Sequence, residues 1–254
     1  MLVQGGGGGG GGGSTSFTPK ALGGLALWLR ADLGIHASGG HVSQWDDQSG
    51  LSDPGRNQVQ ATGANQPTFN SADGRYNGKA TVQFSGAAVQ WMQTSALWNP
   101  ATYQPVTVIC VGNDDGVGAS TEGYLGDAAG IVAYLTALGA QYFASGDANL
   151  FAAEARTANP SIYYIENNDV IISPPSAPEH STIAVSNVTP GAIGEIGGNT
   201  QNFKLVLGCK DGAGTDPLTG KIAEVIFYNR LLTASERLQV MRYLSTRYSI
   251  AIGP

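Results

Sequence analysis

Charge is scarce in this chain. Only 13% of its 254 residues are Asp, Glu, Lys or Arg, about half the roughly 25% usual in soluble domains. Thirteen basic against nineteen acidic side chains leave a net charge of -6, with no basic run. Binding to a nucleic-acid backbone relies on clustered Lys and Arg that displace counterions, so no nucleic-acid partner is expected. An apolar run of ~18 residues, the length that spans a bilayer as a helix, is also missing, and no membrane insertion is expected. "MLVQ" leads directly into glycine, without the basic and apolar regions of a secretion signal, so synthesis in a host cytoplasm without a signal peptide is the expectation.

Reactive and metal-binding residues are few as well. The two cysteines, Cys110 and Cys209, sit in the apolar runs "VTVICVG" and "KLVLGCK", where a thiol behaves as a small buried hydrophobe. His36, His41 and His180 are scattered, and no zinc signature, phosphate loop or Gly-x-Ser-x-Gly motif occurs. No cofactor is expected. Calcium is the one ion that the oxygen donors of "NDDG" suit, although the regular spacing of a dedicated calcium loop is absent.

Glycine, in contrast, is abundant: 37 residues, about double the usual share of ~7%. Residues 1–16 are a Gly/Ser/Thr tract that cannot bury enough apolar area to offset its backbone entropy, so it reads as a flexible or assembly-anchoring arm. From Phe17 to the end the pattern is one domain of short β-like runs broken by turn residues: "LALWLRAD", "HVSQW", "ATVQFSG", "PVTVICVG", "GIVAYLTA", "SIYYI", "DVIIS", "STIAVS", "FKLVLG" and "KIAEVIFYN". Strands at this spacing, without long helical crossovers, predict an all-β, two-sheet antiparallel jelly-roll-like sandwich. Three prolines between Ser173 and Pro178 mark a surface connection, since proline cannot donate to a ladder. One helix is predicted at the C-terminus. Thr233 and Glu236 form a capping box, and Leu238, Met241, Leu244 and Tyr248 follow as its apolar stripe.

"LALWLRADLGIHASGGHVSQWDDQSG", "ATGANQPTF", "NGKATVQFSG" and "GKIAEVIFYNRLLTASERLQVMRYLSTRYSI" together resemble the concanavalin A-like lectin/glucanase superfamily, in its laminin-G-like branch. The resemblance runs from about Gly24 to Ile250. It implies that Trp28 and Leu29 anchor an early strand, that Trp45 points inward before a turn made by Asp47, Ser49 and Gly50, and that Phe84, Ile222, Val225 and Phe227 pack the core. Asn229 and Arg230 would turn the chain into the helix. The superfamily includes lectins, glycan hydrolases, adhesive modules and domains carried on phage particles, so the fold does not choose among them.

A glucanase of this fold carries paired carboxylates on one strand, commonly Glu-x-Asp-x-x-Glu, because alternate positions face one cleft. That pattern is missing, and Glu224 stands alone in its run, so no catalytic residue is assigned and the expectation is a non-enzyme. Sugar-binding candidates combine aromatic faces with polar hydroxyl partners: Trp91, Trp98 and Tyr103, then Asn113, then Tyr142, Asp147 and Asn149. The side-chain-free arm, through Gly5, Gly9 and Gly13, can pack closely against a partner's backbone. Together these predict a phage virion surface protein, a capsid decoration, head fibre or tail fibre component that is a homo-oligomer or is present in many copies on a symmetric particle. Its arm would hold other virion proteins, and its lectin-like domain would bind glycans. A free or cell-surface lectin or adhesin, or a glycan hydrolase of the same fold, is the alternative.

Overall fold

A computed structural model describes residues 17–52, 54–97, 106–115, 125–127, 141–145, 148–152, 159–167, 181–185, 191–193, 204–209 and 211–252. The glycine arm with Gly5, Gly9 and Gly13, the proline-rich connection, and the runs "GIVAYLTA" and "DVIIS" lie outside the described residues.

The strands in chain order are β1 (Leu25–Arg30), β2 (Ile35–Ser38), β3 (His41–Trp45), β4 (Gln58–Val59), β5 (Thr68–Asp73), β6 (Lys79–Phe84), β7 (Met92–Thr94) and β8 (Val106–Asp114). They continue as β9 (Leu125–Asp127), β10 (Gln141–Ser145), β11 (Ala148–Ala152), β12 (Ser161–Asn167), β13 (Ser181–Val185), β14 (Gly191–Ile193), β15 (Leu205–Leu207) and β16 (Gly220–Tyr228). One helix, α1 (Ala234–Tyr248), follows β16. All strands but β10 and β11, which pair with each other, belong to one 14-stranded sheet.

This sheet curls on itself as an all-β sandwich. Leu27, Phe84, Val108, Val225 and Phe227 from one half share a single buried cluster with Trp45, Met92, Leu125, Leu205 and Leu207 from the other. The predicted core residues Trp45, Phe84, Ile222, Val225 and Phe227 all lie in it. Cys110 lies there too, and both cysteines are buried free thiols.

The central strands are covered on both faces, which explains why their sequences read as continuous apolar runs rather than as a clean alternation. In β8, Val108 and Cys110 join the inner cluster while Ile109 and Val111 join an outer one. In β1, Leu27 and Leu29 point inward and Trp28 outward.

Helix α1 covers the outer face. Its capping box is formed, with the Thr233 hydroxyl accepting from the Glu236 N–H and the Glu236 carboxylate accepting from the Thr233 N–H. The buried face is Val240, Leu244 and Tyr248, spaced so that each stands one turn above the last. The predicted stripe therefore needs a correction: Leu238 is 41% exposed, because it lies two residues from Val240 and so on the opposite side of the turn.

Strand β16 carries one irregularity. Ile222 pairs with Gly112 and Glu224 with Val111, so the register shifts by a bulge between them. A bulge turns two successive side chains toward one face. Here Ala223 joins the outer cluster and Glu224 bonds there to Trp28 and Tyr248.

Candidate functional site

The bulge puts a carboxylate where none can be solvated, since Glu224 is 0% exposed. An unpaired buried charge is very costly, and donors converge on this one. Trp28 Nε1 donates to Oε1 at 2.6 Å, the Tyr248 hydroxyl to Oε2 at 2.7 Å and the Tyr243 hydroxyl to Oε1 at 3.1 Å. Arg247 Nε lies 3.3 Å from Oε2. Burial holds the Glu224 carboxyl above the usual glutamate range, although the Trp28 and Tyr248 hydrogen bonds and the Arg247 charge pull it back. Burial likewise pushes the Tyr243 and Tyr248 hydroxyls up, so both remain protonated donors at neutral pH.

Arg247 links this buried group to the surface. One of its terminal nitrogens donates to Asp32 Oδ2 at 2.5 Å, and Arg30 donates to the same oxygen at 2.9 Å. Burial alone would raise the Asp32 carboxyl, but the two arginines outweigh it and hold the group low.

Above this network lies a cleft of about 510 Å³, within the roughly 300–1,000 Å³ range of small-molecule sites. One wall is a face of α1: Gln239, Arg242, Tyr243, Thr246 and Arg247, spaced i, i+3, i+4, i+7 and i+8 so that they stand on one stripe. The facing wall is Phe17, Asn77 and Lys79. Asn77 adopts a left-handed backbone at φ 56°, which asparagine tolerates better than most residues, and its amide donates to the Arg247 carbonyl at 3.1 Å. Phe17 meets Tyr243 edge-on at 6.1 Å between ring centroids.

A second polar network borders the first. Lys221 Nζ donates to Asp73 at 2.5 Å, Arg75 donates to Asp115 at 2.9 Å, and the Tyr76 hydroxyl donates to Asn113 Oδ1 at 2.6 Å. Tyr76 then packs edge-on against Tyr248.

Trp91 and Asn113, the two predicted sugar-binding residues whose side chains are described, are not among the residues lining this cleft. Trp91 is half-buried just before β7, its backbone tied to Asn65 and Gln60. Asn113 lies in β8 rather than in a loop and is 0% exposed, its amide oxygen bonded to Tyr76 and its amide nitrogen to Asp115. Tyr142 and Asn149 lie on the β10–β11 hairpin, opposite Phe151 and Ala144. Trp98, Tyr103 and Asp147 lie outside the described residues. No group of three or more His, Cys, Asp or Glu among the described residues is placed to hold a metal ion.

Sequence reasoning missed Glu224 as the centre of a network. The available signal was a lone charge inside "KIAEVIFY", since a carboxylate in a fully buried strand must have partners.

No family model matches the sequence, and no curated protein is similar to it at the level of sequence. Solved structures do share the fold. A Trypanosoma rangeli sialidase in complex with sialic acid is 13% identical with a TM-score of 0.50, over 88% of this chain and 33% of that one. An arabinofuranosidase complexed with arabinofuranosyl-alpha-1,2-xylobiose is 11% identical with a TM-score of 0.53, over 84% of this chain and 52% of that one. Domain 4 of AbnA, a GH43 extracellular arabinanase from Geobacillus stearothermophilus, in complex with arabinotriose, is 10% identical with a TM-score of 0.51, over 85% of this chain and 97% of that one. The chain thus spans about a third of the sialidase and half of the arabinofuranosidase.

The fold is one found in carbohydrate-active proteins. These likenesses correct the expectation of a non-enzymatic phage virion protein, because the three structures described above are glycosidases or a domain of one. The virion reading leaned on a glycine arm that lies outside the described residues.

Proposed function

We propose that this chain acts in glycan processing, as a carbohydrate-binding β-sandwich belonging to a glycan-processing enzyme. The observation that carries this is the likeness to Domain 4 of the arabinanase, which is in complex with arabinotriose and is matched over 97% of its length. The concanavalin A-like assignment belongs to the same reading, supported by the curled antiparallel sheet and by Trp28, Trp45 and Phe84 in its two cores. The cleft beside α1 suits a sugar in its own right. It joins aromatic faces from Phe17 and Tyr243 to amide and hydroxyl groups from Asn77, Gln239 and Thr246, the mixture that covers both faces of a pyranose or furanose.

The test is calorimetric titration of the chain with arabinotriose and a panel of other oligosaccharides, run beside an assay for reducing ends released from the parent polysaccharides. Saturable binding of an oligosaccharide, or release of reducing ends, is the expected result. Release that is abolished in Tyr243→Phe would place chemistry at the Tyr243–Glu224 pair as well, where a hydroxyl at the cleft wall donates to a buried carboxylate. Neither binding nor release with any saccharide overturns the proposal.

A further inference from the structure

We propose that the cleft between α1 and the Asn77–Lys79 segment takes a saccharide that carries a carboxylate, a sugar acid, with Arg242 and Lys79 holding the acid group. This rests on the carbohydrate reading above and names the class of sugar.

Charge is the first part of the argument. The protein carries a net charge of -6, yet the cleft walls hold Lys79, Arg242 and Arg247 and no Asp or Glu. The carboxylates that meet cleft residues are already committed: Glu224 and Asp32 to Arg247, and Asp73, which faces Lys79 in the β5–β6 register, to Lys221. Arg247 is therefore neutralised from behind. Lys79 and Arg242 form no ion pair or hydrogen bond through their side chains among the described residues. Two unmatched cations in a cleft on an acidic protein call for an anionic ligand, and a planar guanidinium matches a carboxylate through two parallel hydrogen bonds.

The rest of the lining separates a sugar acid from a bare anion. Phe17 and Tyr243 supply apolar surface that a small inorganic anion cannot use. With its nitrogen bonded to the Arg247 carbonyl, the Asn77 amide retains an oxygen acceptor for a hydroxyl, and Gln239 offers both donor and acceptor.

The experiment titrates the full chain with trigalacturonate against galactotriose, 3′-sialyllactose against lactose, and inorganic phosphate. It is repeated with Arg242→Glu and Arg242→Gln, two changes at one exposed helix position, with thermal midpoints recorded to confirm the fold. The expected result is a preference of about tenfold or more for at least one carboxylated sugar over its neutral counterpart, weakening as salt rises. That preference should be lost in Arg242→Glu and reduced in Arg242→Gln. Equal affinity for acidic and neutral sugars, a preference untouched by Arg242→Glu, or phosphate binding as tightly as the sugar acid would each overturn the assignment. Neutral oligosaccharides that bind independently of Arg242 would leave the carbohydrate reading standing while this one falls. Absence of any saccharide binding would sink this assignment, and with no release of reducing ends it would sink the carbohydrate reading as well.

Discussion

The two faces of the central strands bury cores of different chemistry. Inside the curl, Leu27, Leu29, Val82, Phe84, Val225 and Phe227 are almost wholly hydrocarbon, and their attraction is non-directional. Beneath α1, Trp28, Tyr243 and Tyr248 donate hydrogen bonds to a buried carboxylate, and these bonds have fixed lengths and angles. The inner core closes the sheet. The outer core fixes where the helix sits, and with it the stripe from Gln239 to Arg247 that lines the cleft. Burying an ion pair adds little net stability over a well-packed apolar substitute, but breaking one is costly. The outer core is accordingly read as positioning machinery.

The sharpest way to break the contrast is to remove one anchor from each core. Phe84→Ala should destabilise by about 3–5 kcal/mol through lost transfer energy and a cavity. Glu224→Ala should cost a similar ~3–5 kcal/mol by leaving Trp28 and Tyr248 without their acceptor and Arg247 without one of its two carboxylate partners. Urea unfolding gives both values. The difference shows in ligand binding measured on the residual folded protein: Glu224→Ala should weaken binding at the cleft and Phe84→Ala should leave it intact. Equal effects on binding would erase the distinction between the two cores.

A gentler change separates them by pH. Burial raises the Glu224 carboxyl in the folded protein, so the protonated form is favoured on folding. The stabilisation it contributes is complete below the unfolded glutamate value of ~4.3 and is lost as pH rises through the higher folded value. Glu224→Gln keeps a carbonyl acceptor and removes the titration, at a cost of about 1–3 kcal/mol. The stability difference, wild type minus variant, should therefore fall as pH rises above ~4.3 and then level off. A difference that stays flat from pH 4 to pH 8 would show that burial does not govern this carboxyl.

How far the sequence reveals these regions follows from the range of the interactions. Strands β1, β8 and β16 are legible because an apolar run bounded by turns is a local signal, and the capping box of α1 is contained within four residues. Strand β2, "IHAS", is largely exposed and has no apolar pattern to read, while β4 is two residues long. The bulge in β16 is invisible locally, since it exists only as a register against β8. The site is legible by half. The helical stripe 239, 242, 243, 246 and 247 can be counted from the chain, but its facing wall comes from Phe17, Asn77 and Lys79, far away in sequence. Asn113 shows the converse: "GNDDG" has the composition of a turn, yet the strand runs on to Asp114 and commits the Asn113 amide to Tyr76.

The smallest expected effect lies at the entrance to α1, where the positioning role depends on a half-exposed ion pair. Arg230 donates two hydrogen bonds to Glu236, at 2.9 and 2.7 Å, and a third to the Gly23 carbonyl at 2.8 Å, so it ties the helix start to the chain before β1. The Arg230 hydrogen bonds, together with the Thr233 N–H, hold the Glu236 carboxyl down at about 2. A carboxyl lowered on folding contributes stability that is present above ~4.3 and is lost as pH falls through about 2. Glu236→Gln preserves the capping geometry and removes the charge, so it should cost less than about 1 kcal/mol at pH 7. That cost should shrink toward zero near pH 2, the reverse of the trend for Glu224→Gln. Denaturant midpoints of the two variants across pH test the opposition directly, and slopes of the same sign would mean that the helix entrance and the buried network respond to protons as one unit.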